Sequence, residues 1–379
     1  MAEIIGSSIA AVCCLLVGLT YVYYPTLRLL RLKKTDIIPS NPSFQPKVTV
    51  IFAAYNEIDV IEEKIRSIYS SAYESSKISV WIGSDLSEDG TDQLVTSLQS
   101  EFSTLHLFRT DKRTGKSAIM NTLAQKASGE ILIATDANIV FTPTTITRLV
   151  ESFYSEEIGA VAGALNYRGT NINSTSKSEG AYLNVENKIR LSESQNFGFC
   201  LGMEGGLYAI RKTLWASIPA ATFMEDFFQT MQLLSSGKKI VFNPAAIGYE
   251  NVSTSMHEEF KRKIRISLGN FQNLRRFKSV LWQSLYPLGY AFLFHKILRW
   301  FTPHILLVLV AALFINPLTQ SVAWSLCGLL LLQFILVKLN IHGPVTYFCA
   351  MNLAMLIGHL KYLKGVSSSV WEPTKRIQE

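Results

Sequence analysis

The chain predicts an α/β fold with a mostly parallel sheet, carried between membrane helices at both ends. Three observations predict it. Short apolar runs alternate with amphipathic helical stretches between Lys47 and Phe141, the pattern of a sheet covered on both faces. Acidic and glycine-bearing turns follow those runs, where ligands gather in open α/β sheets. The hydrophobic excess lies at the ends. Only 17% of the 379 residues are charged, and mean hydropathy is +0.21, so part of the chain is expected out of water.

Residues Ile4 to Leu27 carry no charge, enough for a helix to cross a hydrocarbon core that needs about 20 residues. A cleaved signal peptide is the competing reading. The length of the run, with no small-residue cleavage site after it, favours a retained anchor. Arg28, Arg31, Lys33 and Lys34 follow the run and only Glu3 precedes it, so the positive-inside rule puts the N-terminus outside and the middle of the chain in the cytoplasm. Cysteine usage agrees: Cys13, Cys14, Cys327 and Cys349 sit in apolar segments and Cys200 is alone, with no spacing for disulfides or zinc. The net charge of +7 gathers near the membrane segments, which suits membrane lipids and argues against nucleic acid as a partner.

A polar linker with Pro39, Pro42 and Pro46 leads into the α/β region. Strands are expected at Lys47 to Ala53, Ile78 to Ile82, Leu105 to Phe108 and Ile131 to Ala134. Helices are expected at Ile58 to Tyr69, around Leu94 to Leu98 and at Lys116 to Ala127. Chemistry-bearing residues fall where the strands end. Ala54-Tyr55-Asn56-Glu57 follows the first strand, Asp85 with Ser87, Asp89, Gly90 and Thr91 follows the second, and Gly115-Lys116 opens the third helix. Asp136 and Asn138 follow the fourth strand, and two oxygen ligands two residues apart can hold a hard divalent cation against a diphosphate. Carboxylates such as Asp85 accept from base and ribose donors, and a lysine at a helix start can meet a phosphate. The alternative is structural: Glu57 and Asp89 as helix caps, Lys116 as a solvated surface charge. Both readings stand at this point.

Taken in order with Gly205-Gly206-Leu207-Tyr208-Ala209-Ile210-Arg211, Glu225-Asp226 and a basic run up to Arg265 and Gly269, these residues resemble the family 2 glycosyltransferases. The likeness is to the membrane-integrated branch that makes poly-N-acetylglucosamine, hyaluronan and cellulose. The resemblance implies a GT-A domain, Rossmann-like, over 35–255, with an N-terminal transmembrane anchor and basic flank over 1–34. It implies a UDP-sugar donor, a glycan or lipid-linked acceptor, and Mg2+ or Mn2+ as cofactor. Asp85 inherits the uridine, Lys116 the diphosphate, and Asp136 with Asn138 the metal. Asp226, beside Glu225 at a helix start, inherits the role of general base, so that one displacement inverts the anomeric centre. Ala54, Tyr55 and Glu57 would line the donor site, and Gly205 and Gly206 would let the backbone pass close to the acceptor. Glu204 either touches an acceptor hydroxyl or faces solvent.

The sequence also departs from the family pattern. Arg262, Arg265 and Ile266 stand where the family has Gln-x-x-Arg-Trp. Arg265 keeps a phosphate role and Arg262 remains a candidate substrate-binding residue, whereas the Gln and the acceptor-stacking Trp are both absent. Asn138 replaces an Asp, and Leu86 a glycine.

The stretch from His257 to Lys278 is basic with interleaved apolar residues and is expected to lie on the membrane face. Leu285 to Phe294 is apolar, but His295, Lys296 and Arg299 follow at once, so 256–299 is expected to be interfacial. Trp300 to Ile315 and Ser321 to Val337 are expected to cross, within a transmembrane region over 300–364, and Val345 to Ile357 is of intermediate length. A cytoplasmic tail over 365–379 carries Trp371 and Arg376, similar to a family motif that approaches the nucleotide. The expectation is a multi-pass cell-membrane enzyme with its catalytic domain in the cytoplasm. Polymer extension leads, single addition to a lipid is the rival, and a sensor without turnover is a third class. An accessory secretion subunit is left open.

Overall fold

No charge interrupts the chain from Ile4 to Leu27, and this stretch is helical. Helices α1 (Ala2–Gly18) and α2 (Tyr24–Leu30) run through a π-helical turn at Leu19–Tyr23 as one 29-residue rod, long enough to cross a bilayer. The computed structural model describes residues 1–33, 39–168, 174–251, 255–283, 285–339, 341 and 343–365. They form two compact units, one from 32–169 and 182–252, the other from 1–31, 170–181 and 253–365.

The first unit is built on β1 (Val48–Ala54), whose seven residues are all buried, as a strand covered on both faces must be. It is followed by α3 (Ile58–Tyr69), β2 (Ile78–Ser84), α4 (Thr91–Leu98), β3 (Leu105–Arg109), α5 (Lys116–Lys126) and β4 (Ile131–Thr135). Strand β1 pairs in parallel with β2 on one side and β4 on the other, and β2 with β3. Strand register aligns their ends. Ala54 lies opposite Ser84, and Ile51 opposite Ala134, so the residues after β1, β2 and β4 emerge on one rim.

Beyond β4 come β5 (Val140–Phe141), α6 (Thr145–Glu151), β6 (Ile158–Arg168), α7 (Ser174–Phe197), β7 (Leu207–Arg211), α8 (Glu225–Ser235) and β8 (Lys239–Asn251). The sheet order is β3-β2-β1-β4-β7-β6-β8-β5. Strand β7 runs antiparallel to both β4 and β6, β5 is antiparallel to β8, and β6 pairs with β8 in parallel. The sheet is therefore parallel over its first four strands and mixed beyond them. The reversal has a use: Leu207 lies opposite Thr135, so the turn that starts β7 comes out beside the end of β4.

The other unit is helical. Helix α9 (Met256–Phe277) leads to α10 (Val280–Gln283), α11 (Leu298–Ile315), α12 (Gln320–Lys338) and α13 (Pro344–Leu363). The apolar side of α9 is covered by α13. Ser267 Oγ donates to Met355 O at 2.6 Å, and the Phe271 ring stacks on His359 at 3.6 Å. Helix α1 packs on α11 at Gly6, where an added Cβ would lie 2.9 Å from Ala312 O, and Asn316 Nδ2 donates to Ser7 Oγ at 2.9 Å.

Among the described residues, three helices are long and apolar enough to cross a membrane: Ala2–Leu30, Tyr286–Ile315 and Pro317–Lys338. The second begins within the stretch expected to be interfacial. No break separates Phe294 from Trp300; the helix continues through His295, which is fully buried and stacks on Tyr24 at 5.5 Å. Helix packing covers the polar ring that had suggested an interfacial stop.

Candidate active site

The rim of the parallel half gathers the expected residues. Asp85 is fully buried, and its carboxylate anchors the loop after β3. Oδ1 accepts from Thr114 N at 2.6 Å and Thr114 Oγ1 at 3.2 Å, and Oδ2 accepts from Arg113 Nε at 3.0 Å and Gly115 N at 3.1 Å. The Arg113 guanidinium lies 3.2 Å over the Tyr55 ring, a cation–π contact. Ala54 ends β1, and its carbonyl accepts from Asp85 N at 2.9 Å. For Asp89 the structural alternative holds: its Oδ2 accepts from Ile58 N and its Oδ1 from Thr91 N, both at 3.0 Å, so it ties the starts of α3 and α4 together. Glu57 precedes α3, and its own N–H donates to Thr91 Oγ1 at 3.0 Å.

Lys116, the first residue of α5, is no solvated surface charge. Its Nζ lies 2.7 Å from Asp136 Oδ1 and 2.5 Å from Glu225 Oε1. Burial alone would lower its pKa, but the two carboxylates raise it. Asp226 is 8% exposed. Its Oδ2 accepts from Gly205 N and its Oδ1 from Phe227 N, both at 2.7 Å. Burial, helped by the Glu225 charge, pushes its pKa from 3.8 up to about 7 against the opposing pull of Lys116 and two backbone N–H donors. Gly205 faces this pair closely: a Cβ there would lie 3.3 Å from Asp226 Oδ2 and 3.5 Å from Lys116 Nζ. Asp85, Lys116, Asp136, Glu225, Asp226 and the Gly205–Gly206 turn are thus linked by hydrogen bonds, ion pairs and strand register along one rim.

Asp136 and Asn138 offer only oxygen ligands, which suit a hard cation. The Asp136 side chain is 38% exposed, and Asn138 Nδ2 donates to Glu250 Oε1 at 3.4 Å. Among the described residues no group of three or more His, Cys, Asp or Glu converges to hold an ion alone. One carboxylate and one amide fit a Mg2+-type site, in which phosphate oxygens and water complete the shell.

Arg262 and Arg265 lie on α9 in the helical unit, where Arg262 Nη1 pairs with Glu259 Oε1 at 3.0 Å. Trp371 and Arg376 lie outside the described residues. Glu204 does not simply face solvent: it pairs with Arg190, a buried guanidinium that also lies 3.9 Å from Glu186.

Two residues to which the sequence assigned no role sit behind the rim. Tyr208 is buried and its hydroxyl has no hydrogen-bond partner among the described residues; burial and the Glu225 and Asp226 charges push its phenol well above the ordinary value. Lys64 is fully buried, and burial pushes its ammonium well below the ordinary lysine value, with Asp136 pulling the other way. Its place on the apolar stripe of α3, between Ile61 and Ile65, was the available signal.

Comparison with known proteins bears on this arrangement. A sequence model of glycosyl transferase family 2 matches residues 49–211, and one of glycosyl transferase family group 2 matches residues 131–357. Beta-monoglucosyldiacylglycerol synthase of Trichormus variabilis is 30% identical over 118 residues, 31% of this chain and 25% of that one. Glycosyltransferase AglE of Haloferax volcanii is 24% identical over 148 residues, 39% of this chain and 49% of that one. Poly-beta-1,6-N-acetyl-D-glucosamine synthase of Staphylococcus aureus is 24% identical over 293 residues, covering 75% and 68%. The chain thus spans a quarter of the length of the first of these relatives and about half of the second. The structure of the mannosyltransferase PcManGT from Pyrobaculum calidifontis, in complex with GDP-Man and Mn2+, matches with a TM-score of 0.72 at 23% identity. It covers 96% of this chain and 99% of that one. The shared fold is GT-A.

Proposed function

The chain belongs to the family 2 glycosyl transferases, and from that premise we propose that it is a membrane-integrated, inverting hexosyltransferase. It moves a sugar from a UDP-sugar to a glycan or lipid acceptor at the cytoplasmic membrane face. The observation that carries the reading is Asp226: a desolvated carboxylate with its pKa at about 7, hydrogen-bonded to the Gly205 turn beside the Lys116, Asp136 and Glu225 charges. A group poised near neutral pH is what a general base requires.

In this reading Asp226 takes the proton from an acceptor hydroxyl as that oxygen bonds to the anomeric carbon. The bond from that carbon to the diphosphate oxygen breaks, and the nucleotide diphosphate leaves with the electron pair. Attack from the opposite face inverts the centre. Lys116 exchanges part of its pairing with Asp136 and Glu225 for the diphosphate, while Tyr55 and Arg113 receive the nucleoside, with Asp85 holding the loop that carries Arg113 and Ala54 and Glu57 at the edge. Asp136 and Asn138 would hold Mg2+ or Mn2+, which when bound supplies positive charge to the departing diphosphate. The cation in the PcManGT complex supports this use of the rim. The basic flank after α2 supports a cytoplasmic catalytic domain and a multi-pass cell-membrane location. Arg262, Arg265, Trp371 and Arg376 remain proposed donor-site residues.

Two acceptor classes divide the reading. The poly-N-acetylglucosamine synthase supports polymer extension. The diacylglycerol enzyme supports a single addition to a lipid, and Ile266 in place of the family's Trp favours it. The test is nucleotide release by the purified full chain with UDP-glucose, UDP-N-acetylglucosamine, UDP-galactose and GDP-mannose. Each is run with diacylglycerol vesicles or an N-acetylglucosamine oligomer, and with Mg2+, Mn2+ or EDTA. A donor that gives metal-dependent, acceptor-dependent release supports the proposal, and product length separates polymer from single addition. Full activity in EDTA removes the metal from the account, and no release with any donor leaves a nucleotide-sugar sensor.

A further inference from the structure

We propose that Lys64 is a positioning residue, tying the Asp136 end of β4 to the Gly205–Gly206 turn through the Thr135 hydroxyl; this rests on the glycosyltransferase reading above. Lys64 is fully buried on the inner face of α3, among Ile61, Ile65 and Ile68. Its Nζ lies 3.5 Å from the Phe141 ring centroid and 5.7 Å from that of Phe52. Among the described residues it makes no ion pair with a carboxylate. Its hydrogen bond goes to Thr135 Oγ1 at 3.0 Å.

The direction of that bond is fixed by the next one. Thr135 has a single hydroxyl proton, and it goes to Gly206 O at 2.7 Å, so Lys64 must donate and Thr135 must accept. Either protonation state of the amine can do so. At one end of this relay the chain passes directly from Thr135 to Asp136. At the other, Gly205 N donates to Asp226 Oδ2 at 2.7 Å. One side chain behind the sheet therefore sets the spacing between the residue proposed to meet the metal and the one proposed to take the proton.

The environment argues that this is more than packing. A fully buried lysine beside two aromatic rings gives up its hydration for one neutral hydrogen bond and two ring faces. A methionine of similar length would fill the space without that penalty. If stability alone were at stake, the amine would be the poorer choice.

The test compares K64M, T135V, T135S and the K64M/T135V double variant with wild type in the full chain. Thermal unfolding, kcat and donor KM are measured, along with hydrogen exchange of the Gly205 and Gly206 amides. K64M is expected to unfold at the wild-type temperature or above it, yet to lose at least about tenfold in kcat, as a misplaced reacting group does. T135V should lose as much, T135S should recover most of the rate, and the double variant should be no worse than either single one, because the two residues act in one network. Exchange at Gly205 and Gly206 should accelerate in K64M and T135V alike. Wild-type kcat in a folded K64M, or single losses that multiply in the double variant, overturns the relay. Should K64M fail to fold, T135V against T135S carries the decision. Should wild type itself turn nothing over, the enzyme reading fails, and the exchange rates alone decide the relay: unchanged rates in T135V sink it.

Discussion

Asp226→Asn keeps the shape of the side chain and removes its capacity to hold a proton, so it isolates what burial has done to this carboxyl. A shift from 3.8 to about 7 corresponds to about 4 kcal/mol against the ionised form. Because the folded carboxyl binds its proton more tightly than the unfolded one, protonation stabilises the fold. That contribution is complete below the unfolded value of 3.8 and is lost as pH rises through about 7. Wild type should therefore lose stability relative to D226N as the pH rises between about 5 and 8, by up to a few kcal/mol. Catalysis runs the other way, since a base must be ionised to act. In initial-rate assays kcat/KM, which reports the free enzyme, should fall about tenfold per pH unit below about 7 and level off above it. D226N should bind UDP as wild type does and transfer nothing. A flat kcat/KM profile through pH 5 to 8, or transfer by D226N at the wild-type rate, would refute the assignment.

The same charges make further predictions. K116M leaves Asp136 and Glu225 without their shared cation and removes the charge that lowers the Asp226 pKa. It should move the acid limb of kcat/KM to higher pH and cost on the order of 3 kcal/mol in thermal or denaturant unfolding. G205A places a Cβ 3.3 Å from Asp226 Oδ2, so turnover should drop by about tenfold with little change in unfolding temperature. In G206A the contact is with Leu165 Cδ1 at 2.8 Å, and the expected result is the reverse: about 1–3 kcal/mol of stability lost and turnover largely kept. G358A in α13 would meet Ser267 Cβ at 2.5 Å and Ile264 O at 2.6 Å. Forcing α9 and α13 apart should lower the unfolding temperature of the detergent-solubilised protein.

The parallel half of the sheet was legible because its strands are continuous apolar runs ending in turns rich in Asp and Gly. Helix α3 even begins and ends where its isoleucine spacing says. Helix α7 was not foreseen. Its buried face includes Glu186, Arg190, Ser192 and Glu193, so burial there leaves no apolar period. The reversal at β7 was hidden too, since strand direction has no local signature. The φ of +64° at Leu86 is one that glycine adopts at no cost, which fits the glycine of the resembled pattern; nothing in the structure explains the leucine. Sequence pattern placed Asp85, Lys116 and Asp136 at strand or helix ends, but Asp226 and Gly205 entered only through resemblance, because their meeting depends on β7 lying against β4. Lys64 escaped notice because a lysine in a helix is ordinarily solvent-facing, although its place between Ile61 and Ile65 marked it; the packing of Phe52 and Phe141 beside it shows the exception.

The configuration of the new glycosidic bond tests the account most directly. If Asp226 delivers the acceptor oxygen from the face opposite the diphosphate, an α-linked UDP-sugar must give a product whose anomeric proton has the β coupling in NMR at early time points. An α-linked product from the purified chain would contradict a single displacement with Asp226 as its base.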